Sequence, residues 1–390
     1  MTCTYTKFLL ELPLQSPKNE MKRLRTLTML SLVIYLVNTI IATQPPPNES
    51  ENKNIPPPAP PPPAPEKPEV TSIDIGERHR LRNTRNGIFL VNVEDTFVGR
   101  SLDLYGEWCQ SEVVLFSKIV RPGDVVVDIG ANIGAFSVPL AKMVGPKGAL
   151  VAFEPQRQLY QLLSANVALN EFNNAFIYQK ALGNVPGNII VPKVNYSSTG
   201  NFGGISLLDE SNWKGRGPYE TVEKIRLDDM LPLLSSCPTF VKIDVEGMEL
   251  DVLKGMSALI AKCSPVIHIE NNCKKGSKDI IEFVNSVVGI READGHKEPI
   301  YDMYWDVHPY FNPRNFFNNQ HDVFTDSLLS MNLLCIPRSS RPDLIKMQES
   351  KNMVKVLPNE RRYLLEDYVM SYKGEDVAIK QLGDMEKCIR

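Results

Sequence analysis

The sequence predicts an α/β domain, Rossmann-like, with a mainly parallel sheet and helices on both faces. Two observations carry this. Between Gly87 and Ile269, apolar strand-like runs alternate with helix-like runs at the spacing of right-handed βαβ units. Val125-Val-Val127 is also continuously apolar instead of alternating, as a strand covered on both faces requires.

Taken in order, Gly87 to Val93 reads as a strand, and Val113 to Val120 as a helix stopped by Pro122 and Gly123. Val125 to Ile129 opens the sheet. Ala135 to Met143 is a helix, Gly145-Pro-Lys-Gly148 a turn and Ala149 to Phe153 the second strand. Leu159 to Asn170 is a helix with Leu162, Leu163 and Val167 at core spacing. Phe176 to Gln179 is the third strand, Phe240 to Asp244 the fourth, Glu249 to Ile260 its helix, and Val266 to Ile269 the fifth strand. Ligands of such a sheet gather at the carboxyl ends of its strands, where Asp128, Glu154, Asp244 and Glu270 all fall.

The first strand runs into Asp128-Ile-Gly130-Ala131-Asn132-Ile-Gly134, a tight turn that opens a helix. Gly130 and Gly134 permit close backbone approach, and the first helical turn offers free N–H groups. The next strand ends in Glu154, where a carboxylate can accept both hydroxyls of a ribose. A dinucleotide would want G-x-G-x-x-G; an acid at the strand end instead repels a pyrophosphate and suits a cationic nucleoside. S-adenosylmethionine (SAM), with a sulfonium, an α-amino group and a ribose, fits that description.

Composition excludes several classes. The chain has 390 residues, 43% hydrophobic and 23% charged, with a net charge of −3, so it suits a globular domain with appendages and lacks the basic surplus that nucleic-acid binding needs. Residues 1–21 read as a cytosolic tail and 22–44 as a signal-anchor segment: Lys22, Arg23 and Arg25 precede the uncharged run Leu27 to Ala42, which sends the remainder toward the lumen. A cleaved signal peptide beginning at Met21 is the rival. Residues 45–70 form a proline-rich stalk, residues 71–340 the folded domain, and residues 341–390 a charged helical extension. Asn48-Glu-Ser50 and Asn195-Tyr-Ser197 are glycosylation sequons. The expected location is therefore a single-pass type II protein facing the endoplasmic reticulum or Golgi lumen, or a secreted one.

With Cys3 in the cytosolic tail, Cys109, Cys237, Cys263, Cys273, Cys335 and Cys388 would be lumenal, which permits disulfides. Cys109, Cys237 and Cys335 adjoin core elements and read equally as buried thiols. No cysteine pair has zinc-ligand spacing.

The run Gly123 to Gly134, Val151-Ala-Phe-Glu154-Pro155, Ala181-Leu-Gly183, Asn201-Phe-Gly-Gly204, Val241-Lys-Ile-Asp244-Val-Glu246-Gly-Met-Glu249 and Val252-Leu-Lys-Gly255 together resemble the FkbM family of SAM-dependent methyltransferases, over roughly Tyr105 to Pro337. The resemblance implies a class I methyltransferase fold, SAM as methyl donor and a hydroxyl as acceptor. It places Asp128, Gly130, Ala131, Asn132 and Gly134 on the methionine side, Glu154 on the ribose, and Ala181 and Leu182 beside the adenine. Asp244 is the first candidate for base or acceptor-positioner and Glu246 the second, since a hydroxyl must lose its proton as it attacks. Alternatively, Glu246 and Glu249 merely favour the helix that follows. Asp244, Glu270 and Asn271 imitate a set that holds Mg²⁺ in some methyltransferases, but no metal is assigned.

Lys193 to Pro218 is too long for a plain connection and is expected to shape the acceptor pocket. Tyr301 to His321, with Tyr304, Trp305, Tyr310, Phe311, Phe316 and Phe317, reads either as an aromatic substrate-side loop for a sugar or as a hydrophobic cap, and it contains His308 and His321. His268 reads as a core histidine. The expected activity is O-methylation of a glycan or small-molecule hydroxyl. The rivals are a catalytically silent adaptor on the same fold and a nicotinamide-dependent oxidoreductase.

Overall fold

The computed structural model describes residues 72–207, 217–271, 276–290, 297–324, 328–338 and 344, together with the short strands Met353–Lys355, Val369–Tyr372 and Glu375–Ala378. The tail, the anchor segment, the stalk with Asn48, Trp213, Cys273, Cys388 and most of the C-terminal extension lie outside the described residues. Among the described residues, no helix is long and apolar enough to cross a membrane.

Strands β1 (Ser72–Ile75), β2 (His79–Asn83) and β3 (Ile88–Asn92) form a small antiparallel sheet ahead of the main one. The main sheet uses β4 (Val125–Ile129), β5 (Ala149–Phe153), β6 (Ala175–Tyr178), β10 (Phe240–Ile243), β11 (Val266–Glu270), β14 (Tyr301–Pro309), β15 (Leu329–Pro337) and β16 (Met353–Lys355). A second three-stranded sheet holds β7 (Ala181–Leu182), β8 (Gly187–Pro192) and β9 (Tyr219–Ile225), and β12 (Val288–Ile290) pairs antiparallel with β13 (Lys297–Pro299) as a separate hairpin.

The main sheet runs β16-β14-β15-β11-β10-β4-β5-β6. Neighbours from β11 to β6 pair in parallel, and β15 is antiparallel to both β11 and β14. From β4 the chain first moves outward to β5 and β6, then returns to lay β10 on the other side of β4. That reversal opens a crevice at the carboxyl ends of β4 and β10, the place where doubly wound sheets bind ligands.

One face of the sheet carries Val127, Ile129, Val241, Ile243, Ile267 and Ile269 against Val252, Leu253, Leu259 and Ile281 of the covering helices. The opposite face carries Val126, Phe240 and Val266 under Phe116 and Val138. Because side chains alternate along a strand, this second face also receives Asp128, Lys242 and His268, which stand side by side in the register. All three are buried, so a polar row lies beneath an otherwise apolar layer.

The extension over residues 341–390, expected to be helical, instead supplies strands among its described residues: Met353–Lys355 pairs antiparallel with β14 at the edge of the main sheet, and Val369–Tyr372 pairs antiparallel with Glu375–Ala378. Two other expected elements differ. The helix expected over Glu249 to Ile260 is two helices, Glu249–Lys254 and Ser257–Cys263. Gly255 sits at the break because a Cβ there would lie 2.2 Å from the carbonyl oxygen of Gly183, and the Asp228 carboxylate accepts from Ala258 N and Leu259 N to start the second helix. The second difference is Tyr301 to His321, whose first nine residues are strand β14 and not a substrate-side loop. Tyr301, Met303, Tyr304, Trp305 and Val307 are buried in it, as an aromatic and branched run with both faces covered requires. Only from Tyr310 does the chain leave the sheet; Phe316 and Phe317 pack at Gly106 under Arg85 and Arg82. His308 is therefore a strand residue, its Nε2 2.7 Å from Asp306 Oδ1, while His268 Nε2 lies 2.9 Å from Asp306 Oδ2. Burial pulls the His308 imidazole down, but the Asp306 carboxylate outweighs it and raises it.

Cys237 is not a buried thiol: it is joined to Cys263 across 26 residues of chain, with Cα atoms 5.4 Å apart. Cys109 and Cys335 are free and buried.

Candidate active site

A cleft at the carboxyl ends of β4, β5 and β10 is lined by Gly130, Ala131, Asn132, Glu154, Ala181, Leu182, Asp244 and Glu246. Asp128 and Gly134 do not line it.

The turn after β4 is shaped by the chain's own crowding. A Cβ on Gly130, at φ +78°, would stand 1.7 Å from the carbonyl oxygen of Asp244. One on Gly134, at φ +90°, would meet Leu163 Cδ1 at 2.8 Å. Asn132 between them is left-handed, at φ +52°. Asp128 is fully buried behind the turn; its Oδ2 accepts from Ser137 Oγ at 2.6 Å and its Oδ1 has no partner among the described residues. Burial raises its carboxyl, opposed by the nearby Lys242 ammonium.

Glu154, at the end of β5, is held from both sides. Its Oε2 accepts from Asn132 N at 2.9 Å and its Oε1 from Gln156 N at 2.9 Å. Gln156 is tied by Nε2 to the carbonyl of Phe202, which brings the segment after β8 over the cleft. Burial pushes the Glu154 carboxyl up to about 7, against the pull of those two N–H donors. Each oxygen keeps a lone pair after one bond, so a diol facing this carboxylate can donate twice. Phe153, Ala181 and Leu182 give that side of the cleft an apolar wall suited to a flat base. The residues present therefore fit SAM: Glu154 would hold the ribose and the apolar wall the adenine.

Beyond β10 the backbone turns sharply through Glu246 at φ +54° and Gly247 at φ +106°. Glu249 Oε1 accepts from Val245 N and Gly247 N, so Glu249 stabilises this turn while Glu246 lines the cleft. Asp244 is paired: Lys242 Nζ donates to its Oδ2 at 3.0 Å. The Lys242 side chain is only 3% exposed, and its ammonium lies 4.8 Å from the centre of the Phe136 ring. Burial pulls Lys242 down, but Asp244, Asp128 and Glu112 outweigh it and hold the ammonium above the usual lysine value.

Lys242 is the functional candidate that sequence reasoning passed over. The signal was present: a lysine between Val241 and Ile243, in a strand covered on both faces, has to be paired.

Glu270, at the end of β11, joins Asp244 and Glu246, and these three carboxylates offer oxygens within 4.8 Å of one another. This set replaces Asn271 of the expected Mg²⁺ set with Glu246; Asn271 is buried and does not line the cleft. Phe97, Trp108 and Tyr310 line the cleft as well, with Trp108 and Tyr310 stacked at 4.9 Å. Burial raises the Tyr310 phenol well above its ordinary value, reinforced by Cys109, Glu270 and Asp244. From Lys193 to Pro218, the residues Asn201, Gly203, Gly204, Ile205 and Leu207 reach the cleft, and residues 208–216 lie outside the described residues. His321 does not line the cleft, and His268 lies in the core.

The family model described as Methyltransferase FkbM domain matches residues 128–287. The methyltransferase sdnD of Sordaria araneosa is 33% identical over 157 residues, which are 34% of this chain and 60% of that protein. The hexuronic acid methyltransferase AglP of Haloferax volcanii is 27% identical over 196 residues, covering 48% of this chain and 72% of AglP. Among solved structures, the methyltransferase FkbM of Methylobacillus flagellatus is 17% identical, covers 57% of this chain and 50% of its own, and superposes with a TM-score of 0.34. The matched span begins at the buried acid of β4 and ends at Val287, enclosing Glu154, Lys242, Asp244, Glu246 and Glu270, so residues 128–287 match the methyltransferase FkbM domain and lie on a Rossmann-like, mainly parallel sheet.

Proposed function

We propose that the chain transfers a methyl group from SAM to a hydroxyl of a glycan or small molecule, working in the lumen of the secretory pathway. The observation that carries the reading is Glu154, a buried carboxylate fixed by Asn132 N and Gln156 N at the mouth of the β4 turn, with Asp244 lining the same cleft. SAM would supply an electrophilic methyl group. The chain's own part is to hold the ribose at Glu154, exclude water with Trp108, Phe97 and Tyr310, and bring an acceptor hydroxyl to Asp244 or Glu246, which receives its proton. Aromatic faces beside carboxylates suit a sugar ring, and the AglP relative is named for a sugar acid substrate.

The lumenal placement is supported by the Cys237–Cys263 disulfide, a bond kept in oxidising compartments. The exposed turn holding the sequon at Asn195 and the basic residues before the uncharged run Leu27 to Ala42 support it too. Labelled methyl transfer from SAM onto fractionated glycans, lipids and small phenols tests the activity; SAM binding without turnover on every fraction would favour the adaptor. A microsome protection assay tests the topology: the domain should resist protease until detergent is added.

A further inference from the structure

We infer that Lys242 is a positioning residue that holds the Asp244 carboxylate at the place where the methyl group is transferred. The inference rests on the SAM reading of the cleft and goes beyond it by giving one buried cation a task. A lysine that is 3% exposed, in the middle of a sheet, is held there only by its partners. Lys242 has acids on three elements: Asp244 directly after its own strand, Asp128 beside it on β4, and Glu112 on the helix Gln110–Ile119 above. Among the described residues its ammonium donates a hydrogen bond to Asp244, at 3.0 Å, and to neither of the other two acids.

The partners differ in what they face. Asp128 is wholly buried and outside the cleft, and Glu112 is buried in the overlying helix, whereas the Asp244 side chain is 37% exposed and lines the cleft. An exposed carboxylate on a short side chain rotates freely unless it is tied. Lys242, enclosed by Phe136 and the sheet, ties one of its oxygens and leaves the other for a ligand. The ammonium stays charged and is no base, so it acts through Asp244.

Binding of two SAM analogues to the full chain tests this. Sinefungin carries an ammonium in place of the sulfonium methyl and can donate a charge-assisted hydrogen bond to a carboxylate at that position; S-adenosylhomocysteine, a neutral thioether, cannot. Asp244→Asn should cut sinefungin affinity about tenfold and change S-adenosylhomocysteine affinity less than threefold. Lys242→Met should do the same, and Lys242→Met combined with Asp244→Asn should be no worse than Asp244→Asn alone, because both act at one point. The double variant keeps the net charge of the pair, and Lys242→Arg, which keeps the cation, should restore most of the preference; these two serve if Lys242→Met does not fold. Equal loss for both analogues in Lys242→Met, or losses that multiply in the double variant, would overturn the inference and make Lys242 a counter-ion for Asp128 and Glu112. A preference unmoved by Asp244→Asn would overturn it as well. Failure of S-adenosylhomocysteine to bind the wild-type chain would instead bring down the SAM reading itself.

Discussion

Gly130 and Asp244 are packed so closely that a single Cβ on the first would stand 1.7 Å from the carbonyl oxygen of the second. The two residues end neighbouring parallel strands, and this contact sets the width of the crevice between them. Gly130→Ala combines the clash with a left-handed φ and should cost more than about 3 kcal/mol. Gly123→Ala, at φ +94° in open space, carries the backbone cost alone, about 1–2 kcal/mol. Denaturant unfolding of the two variants side by side checks the difference; equal losses would show that the crowding has no weight.

Glu154 predicts how SAM binding depends on pH. Its folded-state value, about 7, lies above the 4.5 of a free glutamate, so the ligand-free fold is favoured below the free value and loses that advantage as pH rises through about 7. Ribose hydroxyls donate to the ionised carboxylate, so binding gains over the same window. SAM affinity should fall about tenfold between pH 8 and pH 6, the response to one proton taken up. Glu154→Gln should flatten that profile, while its amide nitrogen would face one of the two N–H donors that now reach the carboxylate. Calorimetric titrations across the pH range provide the check, and a flat wild-type profile would contradict it.

Asp244 should matter for turnover more than for SAM affinity. Asp244→Asn keeps the shape and one acceptor oxygen but removes the charge that receives the acceptor's proton. With any acceptor fraction that takes label, kcat should fall about 10²- to 10⁴-fold while SAM affinity changes less than about threefold. If EDTA abolished the wild-type rate and Mg²⁺ restored it, Asp244, Glu246 and Glu270 would be metal ligands instead.

The proposed lumenal placement predicts how the disulfide and the sequon behave. The Cys237–Cys263 bridge closes 26 residues, for which chain entropy alone gives about 3.5 kcal/mol. Replacing both cysteines by alanine should lower stability by about 2–4 kcal/mol in urea unfolding. Asn195 is exposed, and its side chain accepts from Ser197 N in a turn, so the sequon stands open to modification. Protein made in a secretory cell should shift in mobility on glycan removal, and Asn195→Gln should abolish that part of the shift.

The central strands were legible because each is a short apolar run with an acid at its end: β4 with Asp128, β5 before Glu154, β10 before Asp244. Local pattern suffices there. The role of Glu249, which stabilises the turn while Glu246 lines the cleft, needed the left-handed backbone at Glu246 and Gly247. Strand β14 was missed because Tyr304, Trp305 and His308 look like a binding surface until β15 and β16 are known to cover both its edges. The hydrogen-bond partner of Lys242, Asp244, lies only two residues on, but the other two acids around its ammonium, Asp128 and Glu112, come from elsewhere in the chain and meet it only through the register of β4 and β10 and the helix above them.

Calorimetric titration of the full chain with SAM, in wild type and in Glu154→Ala, tests the central claim most directly. A charge-assisted contact of roughly 1.5–3 kcal/mol predicts that the substitution weakens binding about ten- to a hundredfold, with no heat from NAD in either protein. Absence of SAM binding by the wild-type chain, or equal SAM affinity in Glu154→Ala, would contradict the account.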